Sequence, residues 1–104
     1  MNVQTNTDRN IQASESLAAQ VEAVVTSALG RFVDQVTRVE VHLSDENGAK
    51  DGVDDMRCMM EARLEGRPPT AVTHRAATVE QAMDGAAGKL ARSIESSLAR
   101  EREY

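Results

Sequence analysis

The segment DENGAKDGVDD, residues 45–55, gathers Asp45, Glu46, Asp51, Asp54 and Asp55 around Gly48 and Gly52. Carboxylates at that density can hold a divalent cation, so the spacing is first compared with a calcium loop. Such a loop needs oxygen ligands at positions one, three and five, a glycine at six and a glutamate at twelve. Counted from Asp45, position three is Asn47, but five is Ala49, six is Lys50 and twelve is Met56. The flanks RVEVHLS and RCMMEARLE alternate apolar and polar residues with period two, as strands do, where a calcium site needs helices. The segment therefore reads as a solvated hairpin loop, and neither a metal site nor a cofactor is expected.

The inventory for catalysis is thin. His42 and His74 fall within strand patterns, with no serine and base in an arrangement that would activate a nucleophile. Cys58 is the only cysteine and lacks the paired spacing of a redox or zinc site, so it reads as a small buried hydrophobe. DGAAGK, residues 84–89, has two glycines and a lysine but does not follow a strand, which excludes a phosphate loop. No enzyme activity is expected.

A different chemistry emerges from the last third of the chain. At about 100° per residue on a helix, Lys89, Arg92 and Arg100 share one stripe beside an apolar face, with Gly85 and Ser96 as its other members. Glu95 and Glu101 fall off that stripe. Three cations spaced along a helix can lie against a phosphate backbone and release counterions on contact. A solvated helix face is the competing reading.

The whole chain of 104 residues carries a net charge of −5, which at first sight argues against nucleic acid. The excess is local. Residues 40–65 hold eight acids against three bases, and the remainder holds nine of each, so a basic stripe elsewhere is permitted. Phe32 and Tyr104 are the only aromatic residues, so the core has to be aliphatic and a large aromatic-lined pocket is not expected. One domain spanning 1–104 fits the size. The start MNVQTNTDRN lacks the basic and apolar regions of a signal peptide, and no apolar run is long enough to cross a membrane; a cytoplasmic location is expected.

These residues must be positioned by six elements. NVQTN reads as a short first strand. Ser14 then caps a helix whose Leu17, Val21, Val24, Val25, Ala28 and Phe32 share one face. Val36 to Leu43 is a second strand, with Val39, Val41 and Leu43 inward. Arg57 to Glu65 is a third, with Cys58, Met60, Ala62 and Leu64 inward. EGRPP turns into a fourth, TAVTHRA. Thr78 caps the second helix, with Gln81 placed as in a capping box, and Val79, Ala82, Met83, Ala86, Leu90, Ile94 and Leu98 form its inward stripe. The order β-α-β-β-β-α implies an α+β sandwich: a four-stranded, mostly antiparallel sheet with two helices on one face, similar to double-stranded-RNA-binding domains.

NIQASESL, RVEVHLSDE, RCMMEARLEG and AMDGAAGKLARSIE together resemble the ribosome hibernation-promoting factor family, which includes ribosome-associated inhibitors and proteins once called sigma-54 modulation proteins. The resemblance covers residues 2 to about 100 and is most specific at Asp84, Gly85, Lys89, Leu90 and Arg92. It implies a cytoplasmic bacterial factor that binds the small ribosomal subunit and its rRNA near the decoding centre. There it would block the path of messenger and transfer RNA by steric occlusion, repressing translation in resting or stressed cells. By the same resemblance Lys89, Arg92, Arg100 and Arg31 are the RNA-binding residues. Family members carry further lysines where this chain has Val24, Ser27, Ser96 and Leu98. Ending after its second helix, the chain is expected to correspond to a short form, without the C-terminal dimerisation domain of longer relatives. The acidic loop 45–55 leaves a second reading open, that of a protein-interaction module on the same fold which engages a basic partner, such as a ribosomal protein, and has lost tight ribosome binding.

Overall fold

The computed structural model describes residues 1–46 and 56–102, the last two by backbone alone. Its elements are β1 (Asn2–Thr7), α1 (Glu15–Leu29), a 3₁₀ turn (Gly30–Phe32), β2 (Val36–Asp45), β3 (Met56–Leu64), β4 (Thr70–Ala76) and α2 (Val79–Arg102). In space the strands lie in the order of the chain, β1-β2-β3-β4. β1 runs parallel to β2, because α1 carries the chain back to the starting end between them. The other neighbours are antiparallel. This is the expected β-α-β-β-β-α sandwich.

Strand alternation sorts the sheet into two faces. Val39, Val41 and Leu43 of β2 and Cys58, Met60, Ala62 and Leu64 of β3 are buried toward the helices. The intervening residues face away. Between Val36 and Arg38 the β2–β3 register shifts by one residue, and the extra residue, Thr37, donates its hydroxyl to the Arg63 carbonyl at 3.0 Å. This bulge keeps both Val36 and Val39 in the core.

The helices begin where side chains satisfy their first amides. Ser14 Oγ accepts from the Leu17 amide at 3.0 Å, and Thr78 Oγ1 accepts from the Gln81 amide at 3.1 Å. Each cap contributes about 1 kcal/mol. α1 buries Val21, Val25 and Leu29, at a constant spacing of four. It then tightens into the 3₁₀ turn, so that Phe32, three residues after Leu29, faces the same core. α2 buries Ala82, Met83, Ala86, Ala87, Leu90, Ile94 and Leu98 over β3 and β4.

α2 comes close to β4 at Gly85. A Cβ built there would overlap the ring of His74, which is half-buried on the helix side of β4. Glycine is thus required to let the helix approach, despite costing about 1 kcal/mol against alanine in a helix interior. Gly85→Ala is expected to lower stability by about 1–3 kcal/mol through overpacking. Adding His74→Ala should remove that penalty and expose the helix-propensity gain, and a double-mutant cycle in urea measures both.

Candidate nucleic-acid interface

The four expected basic positions all lie on the helix side, and the structure sets them in different environments. Lys89 lies one helical turn after Gly85 and so also faces β4. Its Nζ donates to the Thr73 carbonyl at 2.9 Å. An ammonium has three donors, so two remain for a ligand while the amine is held at a fixed place. Arg92 is exposed and lies back toward the other side of α2: a Cβ on Gly88 would be 3.5 Å from its Nη1. Lys89 and Arg92 therefore diverge, one toward β4 and one toward α1.

An open groove of about 390 Å³ lies between the helices, walled by Val24, Ser27 and Ala28 of α1 and by Asp84, Ala87 and Gly88 of α2. Two of the positions where the resemblance implies lysines, those held here by Val24 and Ser27, fall on this wall. A third, Leu98, is only 7% exposed and belongs to the core.

Arg31 follows the end of α1 and projects outward on the 3₁₀ turn, with its guanidinium 5.0 Å from the centroid of the Phe32 ring, within cation–π range. It also forms an ion pair with Glu95 of α2. Glu95, off the basic stripe by its spacing, meets Arg31 from 64 residues away, a pairing that local periodicity does not reveal. The pair is exposed, 69% and 59% for the two side chains, so it adds little to stability, yet it offsets the Arg31 charge locally. Arg100 is exposed on the final turns of α2. Neither Arg92 nor Arg100 has an ion-pair partner among the described residues.

Of the acidic segment 45–55, residues 47–55 lie outside the described residues. Asp45 Cα pairs with Met56 at the end of β2, and its amide donates to Asp8 Oδ2 at 3.1 Å. Among the described residues no group of three or more His, Cys, Asp or Glu is arranged to hold a metal ion. No described helix is long and apolar enough to cross a membrane.

Basic side chains are spread over the helix side of an α+β sandwich. Residues 5–102 match the sequence model of the family described as sigma 54 modulation protein / S30EA ribosomal protein, and the chain belongs to that family. Its members are ribosome-associated modulation factors rather than enzymes. Among solved structures, the chain is similar to the N-terminal domain of Protein Y from Thermus thermophilus, with a TM-score of 0.73 at 22% identity, covering 92% of this chain and 98% of that one. It is also similar to a ribosomal subunit interface protein from Coxiella burnetii, with a TM-score of 0.70 at 13% identity, covering 95% of this chain and 99% of that one. At these identities the likeness establishes the fold. No match was found among curated proteins.

Cys58 is fully buried, and its thiol is pushed from 9.0 up to about 12 by burial, partly opposed by the positive charge of Arg57. The folded chain thus keeps a proton that the unfolded chain releases above pH 9. The stabilisation is complete below pH 9 and is lost as pH rises toward 12. Between about pH 8 and about pH 11, wild type should lose about 2 kcal/mol more stability in urea titrations than Cys58→Ala.

Proposed function

We propose that this protein binds the small ribosomal subunit through rRNA near the decoding centre and represses translation in resting or stressed cells by occupying the path of messenger and transfer RNA. Family membership over residues 5–102 is the observation that carries this reading. The surface supports it: Arg92 and Arg100 are exposed on α2 without ion-pair partners among the described residues, and the Lys89 amine is held in place with donors to spare. Arg31 joins them once a phosphate displaces Glu95. The mechanism is steric, with affinity supplied by released counterions, and no bond is made or broken. Lys89, Arg92, Arg100 and Arg31 are the proposed contacts.

One observation favours a second reading, an acidic interaction module that has lost tight ribosome binding and engages a basic partner through loop 45–55. Residues 40–65 carry the whole net charge of −5, and Glu95 offsets one of the four candidate cations. Neutralising Asp51, Asp54 and Asp55 would then abolish partner binding while helix variants leave it intact.

Co-sedimentation with ribosomes through sucrose gradients at several salt concentrations separates the two readings. Lys89→Ala with Arg92→Ala should weaken association and flatten the plot of log affinity against log salt by about two units. Unchanged co-sedimentation would remove these residues from the interface. Glu95→Gln frees Arg31 and should act in the opposite sense, strengthening association and steepening the salt dependence by about one unit.

A further inference from the structure

The sheet face turned away from the helices carries its charge in rows. Across β2 and β3, Arg38 stands opposite Arg63 and Glu40 opposite Glu61. His42 stands opposite Met59, and Asn6 and Thr73 complete that row on the outer strands. Ser44 stands opposite Arg57, which in turn stands opposite Arg75. Glu46 follows at the end of β2. Like charges directly opposite one another across a sheet are destabilising, and this face has three such pairs side by side.

Within the chain the relief comes from the neighbouring row. Arg38 pairs with Glu40, Arg63 lies 3.7 Å from Glu61, and Glu46 lies 3.7 Å from Arg57 and 3.8 Å from Arg75. Most of these contacts are long and partly exposed, so each contributes little, and the groups stay open to other partners.

The order of the rows has a symmetry. Starting from the His42/Met59 row, one direction meets Glu40/Glu61 and then Arg38/Arg63. The other direction meets Arg57/Arg75 and then Glu46. At each step the two sides carry opposite sign. A two-fold axis lying along the central row sets every charged row of one copy against an oppositely charged row of another.

We propose that this face is an interaction surface for a second copy of the chain, with two sheets stacked face to face about that axis. Glu61 of each copy then faces Arg57 of the other, and Met59 meets Met59 on the axis, where its flexible thioether adapts to its counterpart. The arrangement is isologous, as closed dimers are. Rows are about 7 Å apart along the strands. Stacked sheets turn by about 30°, so the rows next to the axis, Glu40/Glu61 and Arg57/Arg75, carry the contact while the outer rows drift apart. Four strands are about 19 Å wide, and the three central rows span about 14 Å, so the rows that stay in contact cover roughly 270 Å² per copy out of a face of about 500 Å². This is below the size of a stable specific interface, so the dimer is weak and sensitive to salt. The helices of both copies remain outward, and the inference stands independently of ribosome binding.

Sedimentation equilibrium of the full chain, from micromolar to millimolar concentration, tests the proposal at low and at molar salt. The expected result is a dimer at low salt that dissociates at high salt. Glu61→Arg and Arg57→Glu should each weaken it at least tenfold, and the double variant should recover it, because the swap restores opposite charges across the axis. Glu22→Gln, exposed on α1 on the other side of the molecule, should dimerise as wild type does. Far-UV circular dichroism checks that each variant is folded. If a charge variant fails to fold, Met59→Glu, which places two carboxylates on the axis, should abolish the dimer. A chain that stays monomeric at every concentration overturns the proposal and leaves the face to a different macromolecule. So does a dimer that is indifferent to these substitutions, or a double variant no better than the single ones.

Discussion

The near-contact of Gly85 with the His74 ring sets how low α2 can sit on the sheet, and much of the molecule follows from it. Among the described residues the core has one aromatic side chain, Phe32, and is otherwise aliphatic, with Cys58 and the thioethers of Met60 and Met83 filling space among Val, Leu, Ile and Ala. Such side chains are short, so the two layers have to lie close together to leave no voids. Alanines at 82, 86 and 87 and glycines at 85 and 88 make the helix thin on the sides where it meets β4 and α1. The larger Met83, Leu90 and Ile94 reach down between them. The same low seat brings Lys89 within reach of a main-chain oxygen of β4. The packing constraint and the placement of a surface cation are thus consequences of one glycine.

Electrostatics on the helix side depends on contacts of the same kind, made across the fold. A net charge of −5 counts against a polyanionic partner only if it is spread evenly. Here the acids concentrate between residues 40 and 65, and among the described residues none of them pairs with Arg92 or Arg100 on the exposed flank of α2. Arg31 is tempered by Glu95, an exposed carboxylate that a phosphate can replace at small cost because the pair is already hydrated. The helix surface is graded in strength: two guanidiniums without an ion-pair partner among the described residues, one anchored ammonium and one guanidinium in competition.

Period-two and period-3.6 patterns made the order of elements, the two sheet faces and most of the core legible, since each depends on neighbours within a turn or a strand. Ser14 and Thr78 were readable as caps for the same reason. Leu29 escaped because the chain changes from α to 3₁₀ geometry immediately after it, so extrapolating one period through Phe32 selected Ala28 in its place. The parallel pairing of β1, the bulge at Thr37 and the steric role of Gly85 depend on partners brought together only by folding. The stripe of bases on α2 could be read as a stripe, but its division could not. Lys89 bonds to a residue 16 positions back and Arg31 to one 64 positions ahead, and no local pattern encodes either. The family resemblance supplied Arg31, which spacing alone did not single out.

The Lys89 hydrogen bond has a further consequence for how the chain behaves in a crowded solution. β4 has only one neighbouring strand, β3, and its other flank is a template on which another polypeptide could extend the sheet. Natural proteins commonly guard such flanks with a lysine, whose charge must be buried before a new strand can pair there. Lys89 reaches across from the helix to do so, occupying one main-chain acceptor of β4. A ligand that draws the ammonium away takes over this protective duty while it is bound, whereas removal of the side chain leaves the flank open for the lifetime of the molecule.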